Sequence, residues 1–213
     1  MSHVTRHTLR FRPAESMLEV IVALFMIASA STASLVMVSQ SRNASNISEN
    51  KTEAIELAED ALESFVMLRN TNWMKFPEKS CWDAVLEEVA CDKNAGEHLL
   101  SETGPTYVKV ILNPLEMRTE FETVGYLLDL VNDKNPNDMK PYGLFERTEE
   151  PNKGFLVAYK GNAQPAKTPR YYRMLQLKYI NGNKNLIEAT SRVQWFSLGE
   201  VQEVTETSTF ANY

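Results

Sequence analysis

No charged residue occurs between Glu19 and Arg42, and the 19 residues from Val20 to Val38 are almost all apolar or small. As a helix this run is about 28 Å long, close to the thickness of a bilayer core. The pattern then changes. From Ser39 to Arg69 the chain has no Pro and no Gly, and Ile55, Ala58, Leu62, Phe65 and Val66 recur at three- and four-residue steps. That spacing places one apolar stripe on a helix. Glu53, Glu56, Glu59, Asp60 and Glu63 fill the other side, which reads as a solvated face. Together the two patterns predict one helix from about Ser16 to Arg69, roughly 80 Å long. It is apolar all round in its first half and one-sided in its second.

Beyond the helix the period shortens to two. Residues 74–105 read as a loop region with a helical patch. Tyr107–Leu112 alternates and stops at Asn113-Pro114, Gly154–Tyr159 is a short apolar run, and Met174–Ile180 leads into Asn181-Gly182, a strong hairpin signal. Leu186–Trp195 predicts a second long strand with Ala189, Ser191, Val193 and Trp195 on one face. Leu198-Gly199-Glu200 turns the chain into a last strand, Val201–Phe210. Residues 116–131 fit either a strand or a short helix. Three consecutive strands imply an antiparallel meander, and the second half of the long helix is the available cover for one face. The predicted class is α+β, a long N-terminal helix packed on an antiparallel sheet.

The N-terminus adds chemistry to this pattern. Glu19 stands at the head of the apolar run, where an unpartnered carboxylate costs roughly 2 to 3 kcal/mol or more at depth in lipid. Arg6, Arg10 and Arg12 precede it with no acid among them, which predicts a cytoplasmic N-terminus and a single pass through the membrane. Three readings compete. A secretory signal peptide would be cleaved near Ala28-Ser29-Ala30, although apolar sequence continues to Val38. A plain signal anchor has no use for Glu19. The third reading takes the acid and the basic leader together.

That combination resembles the type IV prepilin and pseudopilin family. Its members carry a short basic leader ending in a small residue, a cleavage, four mostly apolar residues, a Glu at the fifth mature position, and then about twenty apolar residues. In this register Ala14 ends the leader and Glu15 begins the mature chain, with Ser16, Met17, Leu18 and Glu19 following. Ala14 stands where the family usually has Gly, and Glu15 where it usually has Phe or Met. The family's mid-helix Pro is absent, with Val36 near its place. Ser29, Ser31, Thr32 and Ser34 instead offer hydroxyls that can bond back to helix carbonyls. The run Leu57–Trp73 also resembles the helix end of minor, PilV-like pilins. The likeness is specific over 10–38, suggestive over 54–73, and architectural beyond.

The resemblance implies a 1–14 leader, a 15–70 helix with 20–38 as the transmembrane or filament-core part, and a 71–213 globular head. It implies cleavage by a prepilin peptidase between Ala14 and Glu15, N-methylation of Glu15, and a filament-assembly role for Glu19, whose carboxylate would meet the Glu15 amine of a neighbouring subunit. The implied partners are other pilin subunits through the helix, the peptidase, the pilus assembly platform, and the membrane before assembly. The implied destination is an extracellular pilus at the cell surface, supporting adhesion, motility, DNA uptake or secretion. Two alternatives from other classes are a membrane-anchored binding domain that never assembles and a secreted binding domain.

Composition narrows the remaining chemistry. The 213 residues carry a formal charge of −6, and removing a leader with three Arg makes the rest more acidic. Direct nucleic-acid binding, which rests on neutralising phosphates, is not expected. Only His3, His7 and His98 are histidines, and no phosphate-binding loop or Ser/His/Asp spacing occurs, so no catalysis and no cofactor are expected. Cys81 and Cys91 are the only cysteines. In an extracytoplasmic head they predict a disulfide, with two buried thiols as the alternative; zinc would lack ligands. Asn43, Asn46 and Asn50 match the glycosylation pattern but read as ordinary helix surface. Asp129–Asp138 is oxygen-rich, yet Asp138 and Leu144 stand where a calcium loop needs Gly and Glu, so it reads as a polar turn.

Overall fold

The computed structural model describes residues 13–76, 81–83, 100, 104–113, 118–132, 139–147, 155–159 and 167–212. The expected leader lies outside them except for Pro13 and Ala14. The chain divides into two compact units, Met1–Glu49 and Asn50–Tyr213. One helix, α1 (Pro13–Lys75), contributes to both. It begins earlier and ends later than the pattern predicts. Pro13 suits a first helical position, because its missing N–H would have no intrahelical partner there. Thr71 Oγ1 donates to the Met67 carbonyl at 2.8 Å in the last turns.

The second unit is an α+β head. Its strands are β1 (Thr106–Asn113), β2 (Arg118–Val124), β3 (Gly143–Glu146), β4 (Leu156–Val157), β5 (Tyr171–Ile180), β6 (Asn183–Ser197) and β7 (Glu200–Ala211). All pairings are antiparallel. β5 is central, with β6 along one side and β1 and β3 sharing the other. The predicted β5–β6–β7 meander is present, and β6 and β7 pair without a register break from Leu186↔Ala211 to Ser197↔Glu200. The ambiguous segment 116–131 holds strand β2 and then leaves the sheet. Among its described residues, the apolar run 154–159 supplies the two-residue β4. β3 was not predicted; its four residues are too short to show a period.

The C-terminal part of α1 covers one face of this sheet, as expected. The deepest positions are Ala54, Ala58, Ala61 and Phe65, all at 0% exposure, with the predicted Ile55, Leu62 and Val66 half-buried on their flanks. Three alanines at the centre let the helix backbone approach the sheet closely. Ala61 and Phe65 join Val108, Leu175, Leu177, Ile187, Ala189 and Phe210 in one core. Ala54 and Ala58 join Tyr171, Val193, Trp195 and Val204 in a second. The face proposed for β6 is correct, since Ala189, Ser191, Val193 and Trp195 are all buried.

The opposite face has a cover that the periodicity did not reveal. Leu128, Leu130, Met139 and Tyr142 pack on Tyr172 and Met174. The backbone of this segment is tied to the sheet: Leu130 N donates to Gln194 Oε1 at 2.9 Å, and Leu128 N to Met174 Sδ at 3.2 Å. Coverage on both faces explains why the first five residues of β5 are all buried. It also places Tyr172, whose hydroxyl pKa is pushed up to about 12 by burial.

Candidate assembly helix and its anchorage

In the first unit, α1 presents its apolar side chains outward all round. Met17, Leu18, Ile21, Leu24, Phe25, Met26, Ile27, Leu35 and Met37 are each more than 60% exposed. The stretch is long and apolar enough to be a single membrane span, and none of it is buried within the chain. Glu19 sits at its start, on the exposed helix surface. Ala14 and Glu15 fall in the first turn of the same helix. There the leading amide N–H groups have no intrahelical acceptor, and the backbone is the easiest part of the helix to unwind.

The hydroxyls expected to bond backwards do so. Ser29 Oγ donates to the Met26 carbonyl at 2.9 Å, Ser31 Oγ to Ile27 at 2.8 Å, Thr32 Oγ1 to Ala28 at 2.8 Å and Ser34 Oγ to Ala30 at 2.9 Å. Each of these polar groups is satisfied inside the helix, so this part can enter hydrocarbon without carrying unpaired donors.

In the second unit, two of the acids assigned to a solvated face are anchors instead. Asp60 Oδ2 lies 2.5 Å from Arg173 Nη1, and Arg173, only 4% exposed, also donates to the carbonyls of Leu57 and Val110. Glu53 Oε2 is 2.9 Å from Arg170 Nη2 and accepts the Tyr171 hydroxyl at 2.8 Å. Burial, followed by that bond to Glu53, holds the Tyr171 hydroxyl well above its ordinary pKa. Glu56, Glu59 and Glu63 are exposed as expected. Asn50 is committed to the head as well, accepting Arg170 Nη2 at 2.9 Å, whereas Asn43 and Asn46 are exposed. Near the helix end Arg69 stacks over Trp73 with 4.6 Å to the ring centroid, and Trp73 Nε1 donates to Asn212 Oδ1 at 3.0 Å.

Cys81 is disulfide-bonded; the chain's other cysteine, Cys91, lies outside the described residues. Cys81 begins a buried turn with Trp82 and Asp83. Trp82 accepts Asn72 Nδ2 at its carbonyl (3.2 Å) and donates its indole N–H to Lys184 O (3.3 Å), while Asp83 accepts the Tyr179 hydroxyl at 2.5 Å. This turn fastens the end of α1 to the β5–β6 hairpin. Asp129 closes its own turn, accepting from Val131 N, Asn132 N and Asn132 Nδ2. Those bonds, the Asn132 side chain first, lower its pKa. Asp133–Asp138 lie outside the described residues. Among the described residues no group of three or more His, Cys, Asp or Glu could hold a metal ion. No family model, no curated protein and no solved structure matches this chain.

Proposed function

We propose that this chain is a pilin-like structural subunit: a precursor held in the inner membrane by Val20–Val38, trimmed after Ala14, and transferred into an extracellular filament. The observation that carries this reading is the acid at Glu19 heading an uncharged apolar helix that continues unbroken into the helix anchoring the head. A span used only as an anchor gains nothing from that carboxylate. In a bundle of such helices a carboxylate opposite a neighbour's N-terminal amine favours one axial register over others, because any slip leaves both charges unpaired at low dielectric. The internally bonded hydroxyls and the outward apolar side chains suit both lipid and a helical bundle. The head would form the filament's outer surface and meet its partners. The likeness of Leu57–Trp73 to PilV-like chains favours a minor subunit.

Intact-mass measurement of the native protein tests processing. A mature N-terminus at Glu15 with an added methyl group is expected. An N-terminus at Met1 would leave a membrane-anchored domain that never assembles, and one near Ser31 a secreted domain. Assembly is tested by fractionating cells that carry Glu19→Val. The processed subunit should remain in membranes at normal levels and be depleted from sheared filaments. Normal incorporation would show that Glu19 is not an assembly residue and would take away the observation that carries this reading.

A further inference from the structure

Two hairpins of the head have the same backbone and opposite side chains. Both the Asn181-Gly182 and Leu198-Gly199 turns are two-residue connections, closing Ile180↔Asn183 and Ser197↔Glu200. Both place two residues at positive φ: 52° and 71° in the first, 53° and 84° in the second. Asn and Gly adopt that conformation readily; leucine does not, because its Cβ crowds the neighbouring carbonyl. Strain of this kind persists where something else requires the residue. Nothing within the described chain does so, since Leu198 is 77% exposed, and Phe196 beside it is 43% exposed. The hairpin is therefore an apolar knob held out at the cost of turn strain, and Glu200 flanks it.

The head also holds a cleft of about 310 Å³, lined in part by Phe145, Leu156, Lys167 and Arg170. Glu53 and Glu146 line it too, Glu53 being already engaged by Arg170 and Tyr171. The cleft is large enough for a leucine side chain and combines apolar lining with an exposed lysine. A lipid surface is a poorer match to the knob, because Glu200 beside it would be repelled by anionic headgroups.

We propose that the Phe196–Glu200 knob of one copy seats in the Lys167–Arg170 cleft of a second copy, with Leu198 against Phe145 and Leu156 and Glu200 facing Lys167. Knob and cleft are different surfaces, so the contact is heterologous, and contacts of that type repeat into rings or helical arrays. The inference deepens the filament reading by naming a head-to-head contact, and it rests on residues remote in sequence from Glu19.

The test mixes two forms of the full chain in detergent micelles, one carrying Ser197→Cys and the other Thr168→Cys, with the native disulfide kept oxidised. A short bis-maleimide should join position 197 to position 168, located by peptide mapping. Adding Leu198→Asn should cut the yield about tenfold, the usual loss on removing an anchor side chain. The same change should raise the unfolding midpoint, since Asn relieves the turn, which separates lost contact from lost fold. Glu200→Lys should lower the yield roughly threefold, and Lys167→Glu in the other copy should restore it. No 197–168 product, a yield indifferent to Leu198→Asn, no gain in stability from that change, or a failed charge swap would each overturn the proposal. Filaments lacking the 197–168 product would sink this contact alone. A persistent product from a native chain whose N-terminus is Met1 or lies near Ser31 would sink the filament reading alone.

Discussion

The two parts of α1 share a backbone and differ in what surrounds it. From Met17 to Val38 the helix turns large apolar side chains outward on every side, and its small polar residues are spent on its own carbonyls. From Glu53 to Phe65 three alanines are among the buried residues, and two of the acids, Glu53 and Asp60, reach across to the sheet. Alanine is thus a surface residue in one part and the centre of a core in the other. Helical hydrogen bonding is indifferent to this difference; the residues between the small ones decide it. Large apolar side chains all round demand lipid or other helices, while a single small-residue stripe demands one close-packed face.

Four sets of changes would break or sharpen that contrast, each read by denaturant unfolding and the disulfide by peptide mapping as well. The largest effect is expected from Asp60→Ala, which strips the buried Arg173 of its carboxylate. The loss should be about 3 kcal/mol, at the low end for a buried pair because Asp60 is itself half exposed. Glu59→Gln, one residue away on the exposed face, should stay within about 0.5 kcal/mol. Equal effects would mean that the helix has one uniform acidic face after all.

Cys81→Ser should cost about 2 to 3 kcal/mol by freeing the loop that holds Trp82 and Asp83. Non-reducing peptide mapping should show Cys81 joined to Cys91. Two alkylatable thiols in the native protein would contradict both statements. Next, Ala58→Leu should cost about 2 kcal/mol by forcing the helix away from the sheet. Ala30→Leu, in the outward-facing part, should leave the head's stability unchanged. A loss from the latter would show that the first unit supports the fold of the second.

The smallest effect concerns pH. Asp129 has a pKa below its ordinary 3.8 in the folded chain. Its contribution is therefore present above that value and lost as pH falls through the lowered one, and Asp129→Asn should remove this portion of the acid dependence. At the other extreme Tyr172 titrates near 12 instead of 10. The neutral hydroxyl is favoured by folding, so its contribution is complete below pH 10 and declines from 10 to about 12. Tyr172→Phe should flatten that decline.

The helix was legible because a 19-residue uncharged run and a 3.6-residue stripe are long signals. The three C-terminal strands were legible from alternation and from two turns containing Gly. β3 was not, since four residues carry no period, and the apolar run 154–159 pointed to β4 without its two-residue extent. The anchoring roles of Glu53 and Asp60 were also hidden. A helical wheel places them beside Glu56 and Glu59, and only the arrival of Arg170 and Arg173, more than a hundred positions later, tells them apart. Lys109 is a similar case, buried at 2% exposure yet paired with Glu122 directly across the β1–β2 ladder. Of the candidate site, Glu19, its apolar run and the back-bonded hydroxyls were readable in advance. The Leu198 knob was read as a turn and nothing more, because neither exposure nor φ is written in a residue's identity.

Local interactions therefore let the sequence alone determine the long helix, its division into an all-round apolar part and a one-sided part, and the antiparallel meander. Each depends on the spacing of near neighbours along the chain. Tertiary structure decided which acids became anchors, which segment covered the second face of the sheet, and that nothing in the described chain covers Leu198. Those outcomes depend on groups brought together from distant positions, whose distances no periodicity records.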